Sequence, residues 1–369
     1  MTTQPTTSLY DLTLAELEAG LVERGQPKYR AKQIFEWAYG QLVEDYEAMS
    51  NLPASLRALL AEELPFIPYT NVREVTLTEA EGETVKTLFR TPDERHIEAV
   101  LMFYPDRVTA CISCQIGCPI RCTFCATGLG GLERNLSAGE MVAQVVALAR
   151  RARAAGRILT NIVMMGMGEP LANYEPTLKF IGIINDPAGL GFGARRITVS
   201  TAGIVTGIDR LATEPYAVNL AVSLHAPNDT LRDTLVPLNR RWSVDDLLDA
   251  CRRYLRTTHR RITFEYIMID GLNDAPELAE ELAYKLRGLL CHVNLIPCNP
   301  TAAGPFQPPS HNAIARFAAI LNEGGTTTTV RWSRGVAIAA ACGQLRAEEE
   351  GAAPRVIRPV RRAHAVTPA

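Results

Sequence analysis

The sequence predicts an α/β fold: a partial TIM-like barrel of about six parallel βα units, preceded by a helical accessory domain and a short β extension. After Arg107, short apolar runs alternate with helical segments, which is typical of buried parallel strands and their crossover helices. Before Arg107, a region of helical periodicity is followed by residues with strand-like alternation. Six units are too few for a closed eight-unit barrel, so we expect a partial one.

The amino-terminal segment has the periodicity of short amphipathic helices. From Leu12 to Leu64, apolar residues recur at three- and four-residue intervals. Turn residues interrupt the pattern at Gly25-Gln26-Pro27 and at Asn51-Leu52-Pro53. We therefore expect residues 1–70 to form a small helical accessory domain.

The next segment, residues 71–106, is predicted to be a β extension. Polar and apolar residues alternate in Thr84 to Phe89 and again in Glu98 to Met102. The turn residues Glu81-Gly82-Glu83 precede the first of these patches. Antiparallel strands that lead into the main domain follow from this pattern.

The main domain is expected over residues 107–345. Its predicted strands are short buried runs: Val108 to Ile112, Ile158 to Met164, Arg196 to Ser200, Ala217 to Ser223, Ile262 to Ile269 and Val293 to Ile296. Ser137 begins a capping box ahead of one helix, and Ser243 caps another. The tail, residues 346–369, is acidic and then rich in proline and arginine, and we expect it to be disordered.

Composition narrows the class of protein. No apolar run approaches the roughly eighteen residues of a membrane span, and Met1 to Tyr10 lack the pattern of a signal peptide, so a cytoplasmic protein without membrane contact is expected. The net charge of -2 gives no overall attraction for nucleic acid, although paired arginines hint at a phosphate-rich partner. Five of the nine cysteines lie between Cys111 and Cys125, a spacing that favours metal or redox chemistry over a disulfide framework.

Cys118, Cys122 and Cys125 form a CxxxCxxC motif in the loop after the first predicted strand of the main domain. Structural zinc takes four protein ligands and ferredoxin clusters take four cysteines, so three cysteines leave one coordination site open. The alternatives are a zinc site completed by Cys111, Cys114 or a distant histidine, and buried cysteines that only pack. The motif resembles that of the radical S-adenosylmethionine superfamily, which implies a 4Fe-4S cluster whose open iron binds S-adenosylmethionine.

Four further loops follow predicted strands and carry polar groups. Parallel strands present their carboxyl ends at one face, where barrel-type sites are built. His225 alone would suggest a core histidine and Asn299 alone a turn residue, but their shared placement favours a site. The expected contacts to S-adenosylmethionine are Gly168, Glu169, Ser200, Ser223, Leu224, His225 and Asn299.

Longer segments carry a more specific resemblance. From about Tyr29 to Leu345 the chain resembles the RlmN family of RNA methyltransferases, on the segments CISCQIGCPIRCTFCATG, MGMGEPLAN, SLHAPND, NLIPCNP and RGVAIAAACGQL. The resemblance implies that one S-adenosylmethionine methylates Cys342 and that a second is cleaved to a radical. It also implies that Cys111 resolves the intermediate by forming a transient disulfide with Cys342. Glu98, thirteen residues before Cys111, is the implied proton acceptor.

The same resemblance implies RNA substrates and a reductant. The substrates are an adenosine of 23S rRNA and an adenosine beside the anticodon of tRNA, both methylated at carbon 2, with no DNA partner. An external electron donor of the flavodoxin or ferredoxin type would reduce the cluster. Lys28, Arg30 and Lys32 make the accessory domain the candidate RNA-binding module. The alternatives are a Cfr-type enzyme that methylates carbon 8 and, in another class, a non-catalytic iron-sulfur or zinc protein.

Overall fold

A computed structural model describes residues 7–66, 69–80, 82–299 and 304–345. The predicted disordered tail, residues 346–369, lies outside the described residues. The α-helices of the described residues are α1 Leu14–Glu23, α2 Arg30–Phe35, α3 Ala54–Glu63, α4 Ala126–Leu129, α5 Ala138–Ala154, α6 Tyr174–Asn185, α7 Val205–Leu211, α8 Asp229–Leu235, α9 Val244–Thr258, α10 Pro276–Leu286 and α11 His311–Glu323. The strands are β1 Thr70–Glu79, β2 Gly82–Arg90, β3 His96–Phe103, β4 Val108–Cys111, β5 Gln115–Gly117, β6 Leu132–Asn135, β7 Asn161–Met164, β8 Ile197–Thr201, β9 Asn219–Ser223, β10 Ile262–Met268, β11 Cys291–Pro297 and β12 Thr328–Val330.

Ten of these strands form one sheet in the order β1-β2-β3-β4-β7-β8-β9-β10-β11-β12. The pairs β1–β2, β2–β3 and β3–β4 are antiparallel. Every neighbouring pair from β4 to β12 is parallel. In the described part of the chain no pairing joins β12 back to β4, so the parallel strands form an open barrel. The predicted α/β partial barrel is confirmed. Strand β12, which the sequence did not indicate, adds a seventh parallel strand at the edge.

Local signals set the starts of two core helices. The Ser137 hydroxyl accepts from the Glu140 N–H at 3.1 Å, and the Glu140 carboxylate accepts from the Ser137 N–H at 2.8 Å, so α5 begins with a capping box. Ser243 and Asp246 make the same pair of contacts at the start of α9. Both predicted helix starts are therefore confirmed.

The amino-terminal helices pack against α5. The Arg150 guanidinium donates to the carbonyls of Leu42 at 2.5 Å and Val43 at 2.7 Å. The Asp11 carboxylate accepts from the Gly139 N–H at 2.7 Å, which satisfies an unpaired donor in the first turn of α5. These contacts fix the helical segment against the first crossover helix of the barrel.

The largest error in a predicted strand boundary is at the start of β7. The apolar run from Ile158 suggested a strand that begins there, but β7 begins at Asn161 and Ile158 is 81% exposed. Strand pairing explains the difference, because the first partner of β4 in β7 is Asn161, opposite Thr109. Before it, Thr160 still donates its N–H to the Val108 carbonyl at 2.9 Å, but Ile158 has no pairing partner in the described sheet, so its apolar side chain does not make it a strand residue.

Candidate functional site

A small two-stranded sheet closes the cysteine loop at its base. Strand β5 pairs with β6, and the Cys118 N–H donates to the Gly131 carbonyl at 2.9 Å. Gly117 has a φ of 75°, and a Cβ there would lie 1.9 Å from the Gly131 carbonyl oxygen. Only glycine allows the two strands to approach so closely at the entry to the loop. The loop is anchored at its far end as well, where the Ala126 N–H donates to the Gly343 carbonyl at 2.8 Å.

The three cysteines of the motif line one cavity of about 160 Å³. Burial raises the pKa of Cys118 to about 12 and also raises the pKa of Cys122 and Cys125. Among the described residues, no three Cys, His, Asp or Glu side chains are grouped closely enough to hold a single metal ion. Three cysteine thiols at one cavity match the ligand count of a cluster with one open iron and are one short of the four protein ligands of structural zinc.

Glu169 faces the same cavity from the loop after β7. Its carboxylate accepts from the N–H groups of Ala202 at 2.6 Å and Leu171 at 3.0 Å, which fixes its orientation. Burial raises the pKa of Glu169 to about 7, although these N–H donors oppose the shift. Gly168 precedes it with a φ of 109°, and a Cβ there would lie 2.8 Å from the Cys114 sulfur. The absence of a side chain therefore lets this loop pack against the strand that leads to the cysteines.

Ser200 and Ser223, at the ends of β8 and β9, also line this cavity. The buried Arg232 side chain holds their loops by donating to the carbonyls of Ala202 at 2.6 Å, Ser223 at 3.0 Å and Leu224 at 2.9 Å. Burial lowers the pKa of Arg232 to about 10, so it stays a cation near neutral pH. Leu224 itself is fully buried and does not line the cavity.

His225 connects the cysteine loop to the barrel. Its ring meets Phe124 edge to face, with 4.8 Å between centroids, and its Nδ1 accepts from the Ile267 N–H at 3.0 Å. Burial and then the charge of Arg232 lower the pKa of His225 to about 3, so the imidazole is neutral at pH 7. His225 lines the cavity as a neutral ring and not as a cation.

Asn299 does not line the cavity of the three cysteines. Its side-chain amide donates to the Ser333 hydroxyl at 2.9 Å and to the Cys342 carbonyl at 3.1 Å. Asn299 therefore ties the end of β11 to the segment that carries Cys342. Of the seven predicted cofactor contacts, the structure brings Gly168, Glu169, Ser200, Ser223 and His225 to the cavity wall, and Leu224 and Asn299 lie behind it.

Cys111 and Cys342 line a second cavity, of about 410 Å³. Both are free thiols. The two cavities adjoin, because Cys125, Cys342 and Arg331 are among the residues that line both. Burial, and then the nearby Cys342, raise the pKa of Cys111 to about 12, and Arg331 opposes this shift. A thiol at the end of β4 and one from the carboxyl-terminal segment thus meet in one space, 231 residues apart in sequence.

Glu98 lies beside this second cavity and is not part of its lining. The carboxylate is buried on β3, where the Lys86 ammonium lies 2.9 Å from it. Lys86 also donates to the Ala339 carbonyl at 3.4 Å, three residues before Cys342. Val100, the next residue on the same face of β3, does line the cavity. The structure therefore brings Glu98 near the two cysteines without exposing its carboxylate to the space between them.

Two charged residues at the site were missed by the sequence reasoning. Glu265 in β10 is buried, lines the cysteine cavity, and has one carboxylate oxygen without a hydrogen-bond partner among the described residues. Arg331 follows β12 and lines both cavities, and the neighbouring Cys342 holds the pKa of Arg331 above its ordinary value. The sequence did contain a sign that Glu265 is functional, because it is the one charged residue in the buried strand Ile262–Met268.

Comparison with known proteins gives two family matches. Residues 112–282 match the model of the radical SAM superfamily, and residues 7–65 match the model of the ribosomal RNA large subunit methyltransferase N-terminal domain. The chain is 48% identical to the probable dual-specificity RNA methyltransferase RlmN of Roseiflexus castenholzii, over 92% of this chain and 95% of that protein. It is also 48% identical to the protein of the same name from Moorella thermoacetica, over 90% and 94%.

A solved structure is similar over almost the whole chain. The crystal structure of a radical SAM methyltransferase from Sphaerobacter thermophilus aligns with a TM-score of 0.91 and 65% sequence identity. The alignment covers 93% of this chain and all of that one. Within the described residues, no helix is both long and apolar enough to cross a bilayer.

Proposed function

Because the chain belongs to the RlmN family of radical SAM RNA methyltransferases, we propose that it methylates carbon 2 of an adenosine in 23S rRNA and of the adenosine beside the anticodon in tRNA. The observation that carries this proposal is the cavity shared by Cys111 and Cys342, next to the cavity of the three motif cysteines. Carbon 2 of adenine is electron-poor, so transfer of a methyl cation to it is unfavourable. A thiol that first carries the methyl group lets that carbon add to the ring as a radical, which does not require a nucleophilic ring carbon, and a second thiol then releases it. Methylation of RNA in the cell interior makes a cytoplasmic location part of the proposal.

The cofactor assignment rests on the donors at the cavity wall. Cys118, Cys122 and Cys125 would hold a 4Fe-4S cluster, and the Glu169 carboxylate at the same cavity would accept a hydrogen bond from the amino group of S-adenosylmethionine. The unpartnered oxygen of Glu265 shows that the buried wall has unused capacity for a polar ligand. When bound, the cluster and two molecules of S-adenosylmethionine per turnover would supply a methyl group and a radical that removes a hydrogen atom from that methyl group. A flavodoxin- or ferredoxin-type protein would supply the electron.

The chain's own residues would carry the remaining steps. The sulfur of Cys342 would accept the methyl group and, after hydrogen removal, be linked through that carbon to carbon 2 of adenine, with the unpaired electron of the adduct returned to the electron-transfer group that supplied the first one. Cys111 then attacks the Cys342 sulfur, so that an S–S bond forms and the S–C bond breaks, while Glu98 accepts the proton lost from the base. An external reductant returns the disulfide to two thiols.

The pH dependence of cofactor binding follows from Glu169. Its pKa, raised to about 7 by burial, means that the carboxylate is mostly protonated at pH 6 and mostly ionised at pH 7.5. Since the ionised form accepts from an ammonium group, we expect S-adenosylmethionine to bind roughly fivefold to tenfold more tightly at pH 7.5 than at pH 6. Equilibrium binding to the cluster-loaded protein measures this. Glu169→Gln should bind weakly with a flat profile, and a wild-type profile that is equally flat would contradict the assignment.

The product distinguishes this function from its alternatives. Reaction with a model fragment of 23S rRNA, followed by nucleoside mass spectrometry against synthetic standards, is expected to give 2-methyladenosine. A product of 8-methyladenosine would favour the Cfr-type alternative. Anaerobic reconstitution tests the non-catalytic alternative, because iron binding with cleavage of S-adenosylmethionine supports an enzyme and colourless zinc binding contradicts it.

We also propose the domain roles: residues 1–70 bind RNA, 71–106 form the β extension, and 107–345 form the catalytic core. Lys28 and Lys32 are exposed, and Lys28 forms a surface ion pair with Glu18 at 3.1 Å. An exposed ammonium group can exchange such a surface pair for a phosphate, whereas Arg30 also donates to the Asn51 carbonyl at 3.0 Å.

Charge reversal tests this role. We expect Lys28→Glu with Lys32→Glu to weaken RNA binding and to reduce the salt dependence of the association constant by about one ion per lost phosphate contact. Cleavage of S-adenosylmethionine should be unchanged, because these lysines do not line the cysteine cavity. Lys285→Glu, a charge reversal on the core helix α10, is the matched control. If RNA binding is unchanged, or if RNA binding and cofactor cleavage fall together, the assignment is wrong.

A further inference from the structure

Trp332 is an exposed aromatic residue at the mouth of the two-cysteine cavity. Its side chain is 52% exposed, whereas the other two tryptophans, Trp37 and Trp242, are half-buried. The indole stacks on the imidazole of His311, with 4.7 Å between ring centroids and 23° between planes. His311 begins helix α11, so a helix end supports the indole from behind. Trp332 also lines the cavity that holds Cys111 and Cys342.

The same mouth carries guanidinium groups, of which that of Arg107 pairs with Asp106 at 3.2 Å and that of Arg334 with Glu79 at 3.7 Å. The Arg107 guanidinium lies 4.0 Å from the centroid of the Tyr104 ring, and that of Arg334 lies 4.6 Å from it. Arg334 is held in place by donation to the Phe103 carbonyl at 2.9 Å. All three of these side chains line the cavity together with Arg331. Aromatic faces interleaved with guanidinium groups are the pattern by which proteins hold single-stranded nucleic acid.

We propose that Trp332, supported by His311, is a stacking platform for the base next to the target adenosine. This inference rests on the proposed function and names how its RNA substrate is held. A base that reaches the half-buried Cys342 inside the cavity must leave the base stack, and its neighbour in the strand then loses a stacking partner. The exposed indole replaces that partner, and the Arg107 guanidinium, whose side chain is 46% exposed, contacts a nearby phosphate.

Surface exposure alone does not explain why Trp332 lines the two-cysteine cavity. Ile158 is 81% exposed and Tyr284 is 70% exposed, yet neither lines the two-cysteine cavity. Protein interfaces are also enriched in Trp, Tyr and Arg, but this mouth opens into the cavity of Cys342, where the proposed function places an adenine of RNA. The occupant that fits an aromatic face beside several guanidinium groups is a single-stranded RNA nucleotide.

The fluorescence of Trp332 gives a direct test of stacking. Replacing Trp37 and Trp242 by phenylalanine leaves Trp332 as the single tryptophan of the chain. This protein is titrated with an RNA hairpin that contains the target adenosine, and with hairpins that lack the base at its 5′ or its 3′ neighbour. We expect the intact hairpin to quench the fluorescence and one of the two abasic hairpins to lose most of that quenching. Equal quenching by all three hairpins would overturn the proposal.

Binding measurements on variants provide the second arm. Trp332→Ala is expected to bind the hairpin about tenfold more weakly than wild type, and Trp332→Phe to recover most of the loss. Trp242→Ala is the matched control, since Trp242 also has a neighbouring guanidinium, that of Arg241 at 4.4 Å, but does not line the cavity. Iron content checks that each variant has folded. If the wild-type protein binds the hairpin and Trp332→Ala binds it with the same affinity, this inference alone is overturned. If the wild-type protein does not bind the hairpin, the proposed function is overturned as well.

Discussion

Replacing Cys342 by serine is expected to abolish RNA methylation while cleavage of S-adenosylmethionine stays measurable. A serine hydroxyl is a far poorer methyl acceptor than a thiol, and an ether carbon is a poorer donor of the hydrogen atom. The loss of a covalent nucleophile lowers turnover by on the order of 10⁴-fold to 10⁶-fold in well-studied enzymes. The RNA product is measured by nucleoside mass spectrometry and 5′-deoxyadenosine by chromatography of the same reaction.

Separation of the two activities is what the cavity arrangement predicts. The three cluster cysteines and Glu169 line one cavity, and Cys342 sits where that cavity meets the second one. Removing a single sulfur at the junction leaves the first cavity's other groups in place. Cys291→Ser is the matched control, because Cys291 begins β11 and lines neither cavity. If Cys342→Ser methylates RNA at even a tenth of the wild-type rate, Cys342 is not the methyl carrier.

The parts of this fold that sequence predicts are those set by near neighbours. The helix starts at Ser137 and Ser243 are predictable because a capping box joins residues three apart in the chain. The parallel strands are predictable because burial on both faces requires nearly continuous apolar runs. The strand β12 is not, since three residues at a sheet edge carry too little pattern to distinguish from a loop.

The walls of the site depend on contacts between distant residues, so sequence indicates them less well. Glu265 and Arg331 meet at the cysteine cavity because β10, β11 and β12 are parallel neighbours, and no local pattern reports that pairing. Asn299 shows the converse. Its position after a strand predicts a cofactor contact, which stays a prediction, and its side-chain amide donates to the Ser333 hydroxyl and to the Cys342 carbonyl. The end of a strand places a residue near the site, and only the packed structure decides which group its side chain contacts.

Replacing Cys111 by alanine is expected to trap RNA on the protein. Without a second thiol in the cavity, the bond between the Cys342 sulfur and the base carbon has no nucleophile to break it. Methylated RNA should then be almost absent, and a covalent protein–RNA adduct should accumulate toward one RNA per protein. Denaturing gel electrophoresis with labelled RNA detects the adduct, and mass spectrometry of the digested adduct should locate it at Cys342.

The location of Cys111 makes this result specific. Burial raises the pKa of Cys111 to about 12, and the thiolate that attacks sulfur exists mainly above the pKa, so the wild-type release step should speed up as pH rises. Cys111→Ala has no such thiolate, and its adduct should persist at every pH. Cys114→Ala is the matched control, because Cys114 is also buried but packs in the main core and does not line the two-cysteine cavity. If Cys111→Ala releases methylated RNA while Cys114→Ala traps it, the resolving thiol is Cys114, and the pairing of Cys111 with Cys342 is wrong.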